Sequence, residues 1–439
     1  MRRDDTIFAL ASGAGRAGVA VLRVSGPAAR ICLNSLTGRN LPPVRRAVLR
    51  GLFAMGGEMI DRALVLWFAG PDSFTGEDVV EFYVHGGRAV VEAVTAALSA
   101  FPDVRLAEPG EFTRRAVLNG KLDLTQAEAI ADLTSAETEA QRLQALRQYD
   151  GALSALYDRW RSELSKALAW VEAAIDFSDD ELPQEVIAEA HRMGGAVAEE
   201  IEKHLADARR GELVREGFYV AVVGPPNAGK SSLVNTLAGR DVAIVSETAG
   251  TTRDIIEVRL NLGGYAVVVA DTAGLRQSAD AVEAEGVRRA LARAEAADLV
   301  IVLRDGSDKG NMLELNENIG SKPVLSVWNK ADLPWAEGHE GLAVSLKTGE
   351  GVEVLIAALT EAARSQLQDM SEAPVLTRVR HREALVETLA ALERAGSVDA
   401  LELFAEDLRL AVRSLGRITG RVDVEDLLDV IFRDFCIGK

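Results

Sequence analysis

Residues 224–231, Gly224-Pro225-Pro226-Asn227-Ala228-Gly229-Lys230-Ser231, have the types and spacing of a loop that cradles phosphates. Main-chain N–H groups of such a loop turn inward on the phosphate oxygens, and a helix N-terminus behind it adds partial positive charge. Lys230 is placed to reach the β- and γ-phosphates and the Ser231 hydroxyl to ligate Mg²⁺, with Asn227, Ala228, Gly229 and Ser232 in the same contact set. Further on, Asp271-Thr272-Ala273-Gly274 supplies a carboxylate that can hold Mg²⁺ through water and a Gly N–H for the γ-phosphate. In Asn329-Lys330-Ala331-Asp332, the Asp can accept hydrogen bonds from N1–H and the exocyclic amine of guanine. Adenine offers no such donor pair, so the nucleotide expected is GTP. Ser345-Leu346-Lys347 fits a loop that backs the base, and Gly250-Thr251-Thr252-Arg253-Asp254 places Thr252 where a switch Thr closes on Mg²⁺.

These groups need strands that end at one place. Apolar runs supply them: Phe218 to Val223 before the phosphate loop, Val267 to Ala270, Val324 to Trp328 and Leu342 to Val344, with a helix pattern from Ser232 to Ala238. The fold class expected is multidomain α/β. A Ras-like P-loop domain over 217–370, with a parallel-rich sheet and helices on both faces, is inserted between two helical segments, 120–216 and 371–439. Residues 1–119 read as α+β, with strands at Val19–Val24, Ala63–Phe68 and Val79–Val84 and a helix over Val90–Leu98. From Leu122 to Phe177 the apolar residues recur at helical spacing, as in Leu143, Leu146, Leu153, Leu156 and Trp160. Arg209-Arg210-Gly211 reads as a break in the helical pattern. Helical composition resumes from Arg378 to Phe435, and close termini make such an insertion tolerable.

The 439 residues carry a formal net charge of −18, which argues against coating nucleic acid by a global field. The first 119 residues hold fourteen Arg against twelve Asp or Glu, so the acidic excess lies downstream. Only Cys32 and Cys436 could pair, which favours a reducing cytoplasm over a disulfide framework. No apolar run reaches the roughly 18 residues a membrane helix needs, and the first residues lead into no signal-peptide core. The expectation is a soluble cytoplasmic protein.

Over nearly its full length the chain resembles the MnmE (TrmE) tRNA-modification GTPases. The resemblance is carried by Asp5-Thr6-Ile7, Leu22-Arg23-Val24-Ser25-Gly26, Ser73-Phe74-Thr75-Gly76-Glu77-Asp78, His85-Gly86-Gly87 and Pro109-Gly110-Glu111-Phe112-Thr113. Leu118-Asn119-Gly120-Lys121-Leu122-Asp123-Leu124, the five nucleotide motifs and Phe435-Cys436-Ile437-Gly438-Lys439 complete it. It implies a homodimer that works with an FAD- and NADH-using partner, MnmG (GidA), in a heterotetramer or larger complex. Together they would add an aminomethyl or carboxymethylaminomethyl group to C5 of the wobble uridine of certain tRNAs. A reduced folate, 5-formyl- or methylene-tetrahydrofolate, would supply the carbon, and the N-terminal domain would bind it and mediate dimerisation. Arg23, Glu81, Lys121 and Lys439 fall at the family's folate positions. Cations there suit glutamate-tail carboxylates and a Glu suits pterin N–H groups, although by residue type alone they are ordinary surface charges.

Leu275 follows Gly274, where many switch GTPases carry a water-positioning Gln. The resemblance implies Glu283 for that task, with Glu285 as competitor. It also implies K⁺ at Asn227, Ser246, Thr248 and Thr251, with Glu247, Ala249 and Gly250 in the same loop, when two nucleotide domains meet. Neutral oxygen ligands suit a weakly bound monovalent ion. Cys436 is implied at the folate and tRNA site, as nucleophile or as packing; a prenylation box fits Gly438 and Lys439 poorly. Two other functions share parts of the pattern: a ribosome-assembly GTPase switch, and a folate-dependent one-carbon transferase that the GTPase only regulates.

Overall fold

The computed structural model describes residues 5–176, 184–244, 257–271, 293–307, 322–334, 340–367, 376–398, 400–422, 428, 431–432, 435 and 437–438. In chain order its elements are β1 (Thr6–Leu10), β2 (Ala17–Ser25), α1 (Ala29–Thr37), β3 (Val48–Phe53), β4 (Met59–Phe68), β5 (Val79–Gly86), α2 (Arg88–Ser99), β6 (Val104–Leu106) and α3 (Glu111–Leu118). Five helices follow, α4 (Leu124–Ser135), α5 (Glu139–Tyr149), α6 (Ala152–Asp176), α7 (Gln184–Ala206) and α8 (Ala208–Glu216). Next come β7 (Phe218–Val223), α9 (Lys230–Ala238), β8 (Glu257–Leu262), β9 (Tyr265–Asp271), β10 (Leu299–Asp305), β11 (Val324–Asn329) and β12 (Leu342–Ala343). The last three are α10 (Val352–Leu367), α11 (Val379–Gly396) and α12 (Leu401–Thr419). Contacts divide the chain into two compact units: 1–131 with 154–165 and 409–439, and 132–153 with 166–408.

The first unit is built on a sheet in the order β3-β4-β5-β2-β1-β6. All its pairs are antiparallel except β1 with β6. One face is covered by α1 and α2, whose Leu33, Leu36, Val94 and Leu98 join Leu22, Val24, Val65, Trp67 and Phe82 in one core. Beneath β1, Ile7 and Ala9 pack with Phe112 of α3 and with Phe74. Close to the C-terminus, Phe432 and Phe435 pack with Leu124 and Ala127 of α4, and Ile437 forms an antiparallel bridge with Pro109.

In the second unit the sheet runs β12-β11-β10-β7-β9-β8, parallel throughout except for β8 on β9. Its central strands β7 and β10 read as nearly unbroken apolar runs because both faces are covered, whereas the edge strand β8 alternates. Val220, Val222, Ile301 and Leu303 face α9 and α10 through Leu233, Val234, Leu355 and Leu359, while Ala221, Val223, Val300 and Val302 face Ala294 and Ala297. The α5 N-terminus meets the β8–β9 turn, where Ala140 N–H donates to the Gly264 carbonyl at 3.2 Å. A capping box at Thr138 and Gln141 starts α5.

The expected helical break lies at Asp207, between α7 and α8, and Arg209-Arg210-Gly211 is helical. A mid-helix Gly costs about 1 kcal/mol relative to Ala. Burial of Leu213 and Val214 and the ion pair of Arg209 with Asp298 offset that cost.

Candidate functional site

Parallel strands bring their carboxyl ends to one edge of a sheet, and loops leaving that edge can converge on a ligand. Here β7, β10 and β11 end together. Val302 pairs with Val223, and Asp305 pairs with Asn329. The phosphate loop leaves β7 and returns as α9, whose first residue is Lys230. Its two outer glycines are required by close approach and by backbone angle. A Cβ on Gly224, at φ 156°, would lie 2.1 Å from the Leu303 carbonyl oxygen, and one on Gly229, at φ 101°, would lie 2.4 Å from Asn329 Nδ2. A side chain at either position would push the loop off the ends of β10 and β11, so glycine is what lets it lie this close to them. A glycine loop held there, with a helix N-terminus behind it, suits a phosphate chain. Lys230 Nζ donates to the Gly224 and Pro225 carbonyls at 2.9 Å each. Asn227 is exposed, at φ 63°, while Ala228 is buried.

The candidate base end is wired to the candidate phosphate end. Asn329, 5% exposed, donates from Nδ2 to the Ala228 carbonyl at 2.9 Å. Its Oδ1 accepts from Lys330 N–H at 2.7 Å and from Leu346 N–H at 3.2 Å. One side chain thus fixes three loops. Ser345 Oγ donates to Asp332 Oδ1 at 2.8 Å, and Lys347 Nζ stands 3.8 Å from Asp332 Oδ2. Lys330 sends its ammonium to Asp305, a residue that motif reading did not single out. The only signal for it was an Asp closing the apolar run Leu299–Leu303.

Asp271 ends β9, and its Cα pairs with that of Val222, two residues before Gly224. The hydroxyl of Ser231, on the first turn of α9, is a hard oxygen donor of the kind Mg²⁺ takes. Thr272, Ala273 and Gly274 lie outside the described residues, as do Ser246, Glu247, Thr248, Ala249, Gly250, Thr251 and Thr252. The same holds for Glu283, Glu285, Cys436 and Lys439.

On the first sheet, Arg23 of β2 and Glu81 of β5 are register partners and form an ion pair at 2.9 Å. Tyr83 donates its hydroxyl to the other Glu81 oxygen at 2.8 Å, a partner that sequence reading missed because it needs the strand's side-chain alternation in place. Burial raises the Tyr83 phenol above its ordinary value, and the bond to Glu81 adds to the rise. The Arg23 guanidinium lies over the Phe74 and Phe112 rings, 5.5 and 5.7 Å from their centroids. Lys121 lies beside the 73–78 loop: a Cβ on Gly76 would come within 3.5 Å of its Cε, and Asn119 Nδ2 donates to the Thr75 carbonyl at 2.6 Å.

Beneath that loop, Arg115 pairs with Asp5 at 2.7 Å and with Glu77 and Glu111 at 3.1 Å each. Arg105 closes the network on Asp5 and Glu111, both at 2.7 Å. Burial alone would push the Glu111 carboxyl up, but hydrogen bonds from Arg105, the Glu108 N–H and Arg115 outweigh it and hold Glu111 below the ordinary range. Asp5 is held low in the same way by Arg105 and Arg115. Cys32 is buried, which pushes its thiol up to about 11 and leaves it unreactive at neutral pH. Among the described residues, no helix is long and apolar enough to cross a membrane.

Two family models match the chain: GTP-binding protein TrmE N-terminus over residues 6–121, and MnmE helical domain over residues 124–436. A tRNA modification GTPase MnmE from Parvibaculum lavamentivorans is 57% identical, covering 99% of this chain and 100% of its own. One from Rhodospirillum rubrum is 54% identical, covering 99% of both chains. Among solved structures, Aquifex aeolicus Era bound to GDP.AlF4- matches 39% of this chain and 66% of its own at 25% identity, with a TM-score of 0.27.

Proposed function

The chain belongs to the MnmE family of tRNA modification GTPases, and from that premise we propose that it couples GTP hydrolysis to modification of the wobble uridine in certain tRNAs. The observation that carries the reading is the meeting of the phosphate cradle with Asn329, Asp332 and Ser345 at the carboxyl ends of β7, β10 and β11.

GTP binds with its phosphates on the 224–231 loop and the N-terminus of α9. Lys230 leaves the loop carbonyls for the β/γ-phosphate oxygens, and Asp332 accepts the guanine N1–H and amine hydrogens. Mg²⁺, when bound, neutralises charge on the β- and γ-phosphates. Ser231, Thr252 and Asp271 would be the residues that hold it. Leu275 cannot orient the attacking water; Glu283 accepts a hydrogen bond from it and aims its oxygen at the γ-phosphorus. Asn227, Ser246, Thr248 and Thr251 would hold K⁺ when two nucleotide domains meet, and it would supply the charge stabilisation an arginine finger gives elsewhere. In the first unit, Arg23, Glu81, Lys121 and Lys439 bind a reduced folate, with Tyr83 and Arg23 holding the Glu81 carboxylate between them. The chain acts as a cytoplasmic homodimer beside an FAD-dependent partner, MnmG, and tRNA. Cys436 packs or reacts at the same site.

Modified nucleosides in total tRNA test the proposal, measured in cells lacking this protein with wild type or Asp271→Asn restored. Loss of 5-aminomethyl-type wobble uridines, recovered with wild type alone, is expected. Unchanged nucleosides would overturn the reading and turn attention to ribosome-assembly intermediates. GTP turnover in KCl is expected to exceed turnover in NaCl at matched ionic strength. Equal rates would remove K⁺ from the account.

A further inference from the structure

One carboxylate at the guanine end of the second sheet belongs to none of the five nucleotide motifs. Asp305 is the last residue of β10 and the register partner of Asn329. Gly306 N–H donates to the Asn329 carbonyl at 2.8 Å, which ties the two strand ends together just before Lys330 leaves. Lys330 has φ 71°, a left-handed conformation that residues other than glycine rarely adopt. Its N–H is held by Asn329 Oδ1, and its ammonium by Asp305 Oδ2. The other Asp305 oxygen accepts from Ser307 N–H at 3.0 Å and from Ser307 Oγ at 2.6 Å. The carboxylate is divided: one oxygen fixes its own turn, and the other fixes Lys330.

We propose that Asp305 is a positioning residue of the nucleotide site, which holds the Lys330 side chain stretched from the end of β11 to the end of β10 so that its methylene stem forms a ready platform beside the purine. The inference rests on the guanine reading given above. A lysine loses much rotamer freedom when it is ordered against a ligand. With the ammonium already paired to Asp305, and Asp305 already held by Ser307, that ordering is complete before the nucleotide arrives. Burial acts to raise the Asp305 carboxyl, but the bonds from Lys330 and Ser307 outweigh it, so the carboxyl is held below its ordinary value.

The test is the affinity and dissociation rate of a fluorescent GDP on the full chain, for wild type, Asp305→Asn, Ser307→Ala, Lys330→Met and the Asp305→Asn/Lys330→Met pair. Asp305→Asn is expected to weaken binding about tenfold through faster release, and Ser307→Ala about threefold. In the Lys330→Met background, Asp305→Asn should add less than about twofold, because the partner it acts on is gone. Losses that multiply in the double variant would overturn the proposal. Ser307 is exposed, so its variant keeps the proposal open to test should Asp305→Asn fail to fold. Asp332→Asn separates the two readings: an amide in place of the carboxylate should move preference from guanine to xanthine nucleotides. If that shift fails, the guanine reading fails. If it occurs while Asp305→Asn binds GDP like wild type, the positioning role alone is wrong.

Discussion

At the carboxyl ends of β7, β10 and β11 the candidate nucleotide site is organised by a main-chain loop, held in place by one buried amide, Asn329. On the first sheet two of the candidate folate groups, Arg23 and Glu81, are side chains facing one another across β2 and β5, beside an ion-pair network of Arg105, Arg115, Asp5, Glu77 and Glu111 in which Arg115 and Glu111 are buried. A main-chain site depends on space: it is lost when a Cβ enters. A side-chain site depends on charge balance, and it is lost when one partner leaves its buried counter-charges behind. The same kind of single substitution should therefore fail differently in the two regions.

Arg115→Ala is expected to have the largest effect on stability. It takes one of two arginine partners from Glu111, 1% exposed, and from Asp5, and the arginine partner of Glu77, a loss of about 3 kcal/mol, the low end for a broken buried pair because Arg105 stays on Glu111 and Asp5. Hydrogen exchange resolved by peptide should show opening confined to the first unit, with GDP affinity unchanged. Opening that spread equally through both units would erase the distinction. Next comes Gly229→Ala, whose Cβ would meet Asn329 Nδ2. Overpacking strain of about 1–3 kcal/mol should weaken GDP binding about five- to a hundredfold, while melting of the first unit stays put.

Acid should separate the regions as well. Asp5 and Glu111 are depressed in the folded chain, from ordinary values of 3.8 and 4.5. Their contribution is therefore fully present above those values and is lost as pH falls through the lower folded ones. His204, in the second unit, is pushed down from 6.5 to about 4 by burial and by nearby His381. Its contribution is present above pH 6.5 and is lost as pH falls towards 4. Exchange followed from pH 7 downward should show the second unit weakening first, and His204→Gln should flatten that early slope. The smallest effect expected is that of Tyr83→Phe, which removes one donor from Glu81. A loss of about 1 kcal/mol, or about fivefold in reduced-folate affinity by equilibrium dialysis, would mark the hydroxyl as a positioning group.

The nucleotide site was legible in the sequence because its residues come in contiguous runs at strand ends, and a strand, a loop and a helix in succession already define the cradle. Lys330 was legible and Asp305 was not: their pairing exists only once β10 and β11 lie parallel in one register. The first sheet hid more. The pairing of β1 with β6 joins distant short strands, and Glu81 with Tyr83 on one face becomes visible only when β5 is in place. There the family resemblance, rather than residue spacing, pointed to Arg23 and Glu81. The segment at Arg209-Arg210-Gly211 misled because local glycine propensity is weak beside burial of the neighbouring Leu213 and Val214.

Steady-state GTP hydrolysis by the full chain in KCl and Mg²⁺, with ATP added in large excess, tests the central claim most directly. The account expects turnover that excess ATP leaves unchanged and that Lys230→Ala abolishes. Hydrolysis suppressed by ATP, or retained in Lys230→Ala, would contradict it.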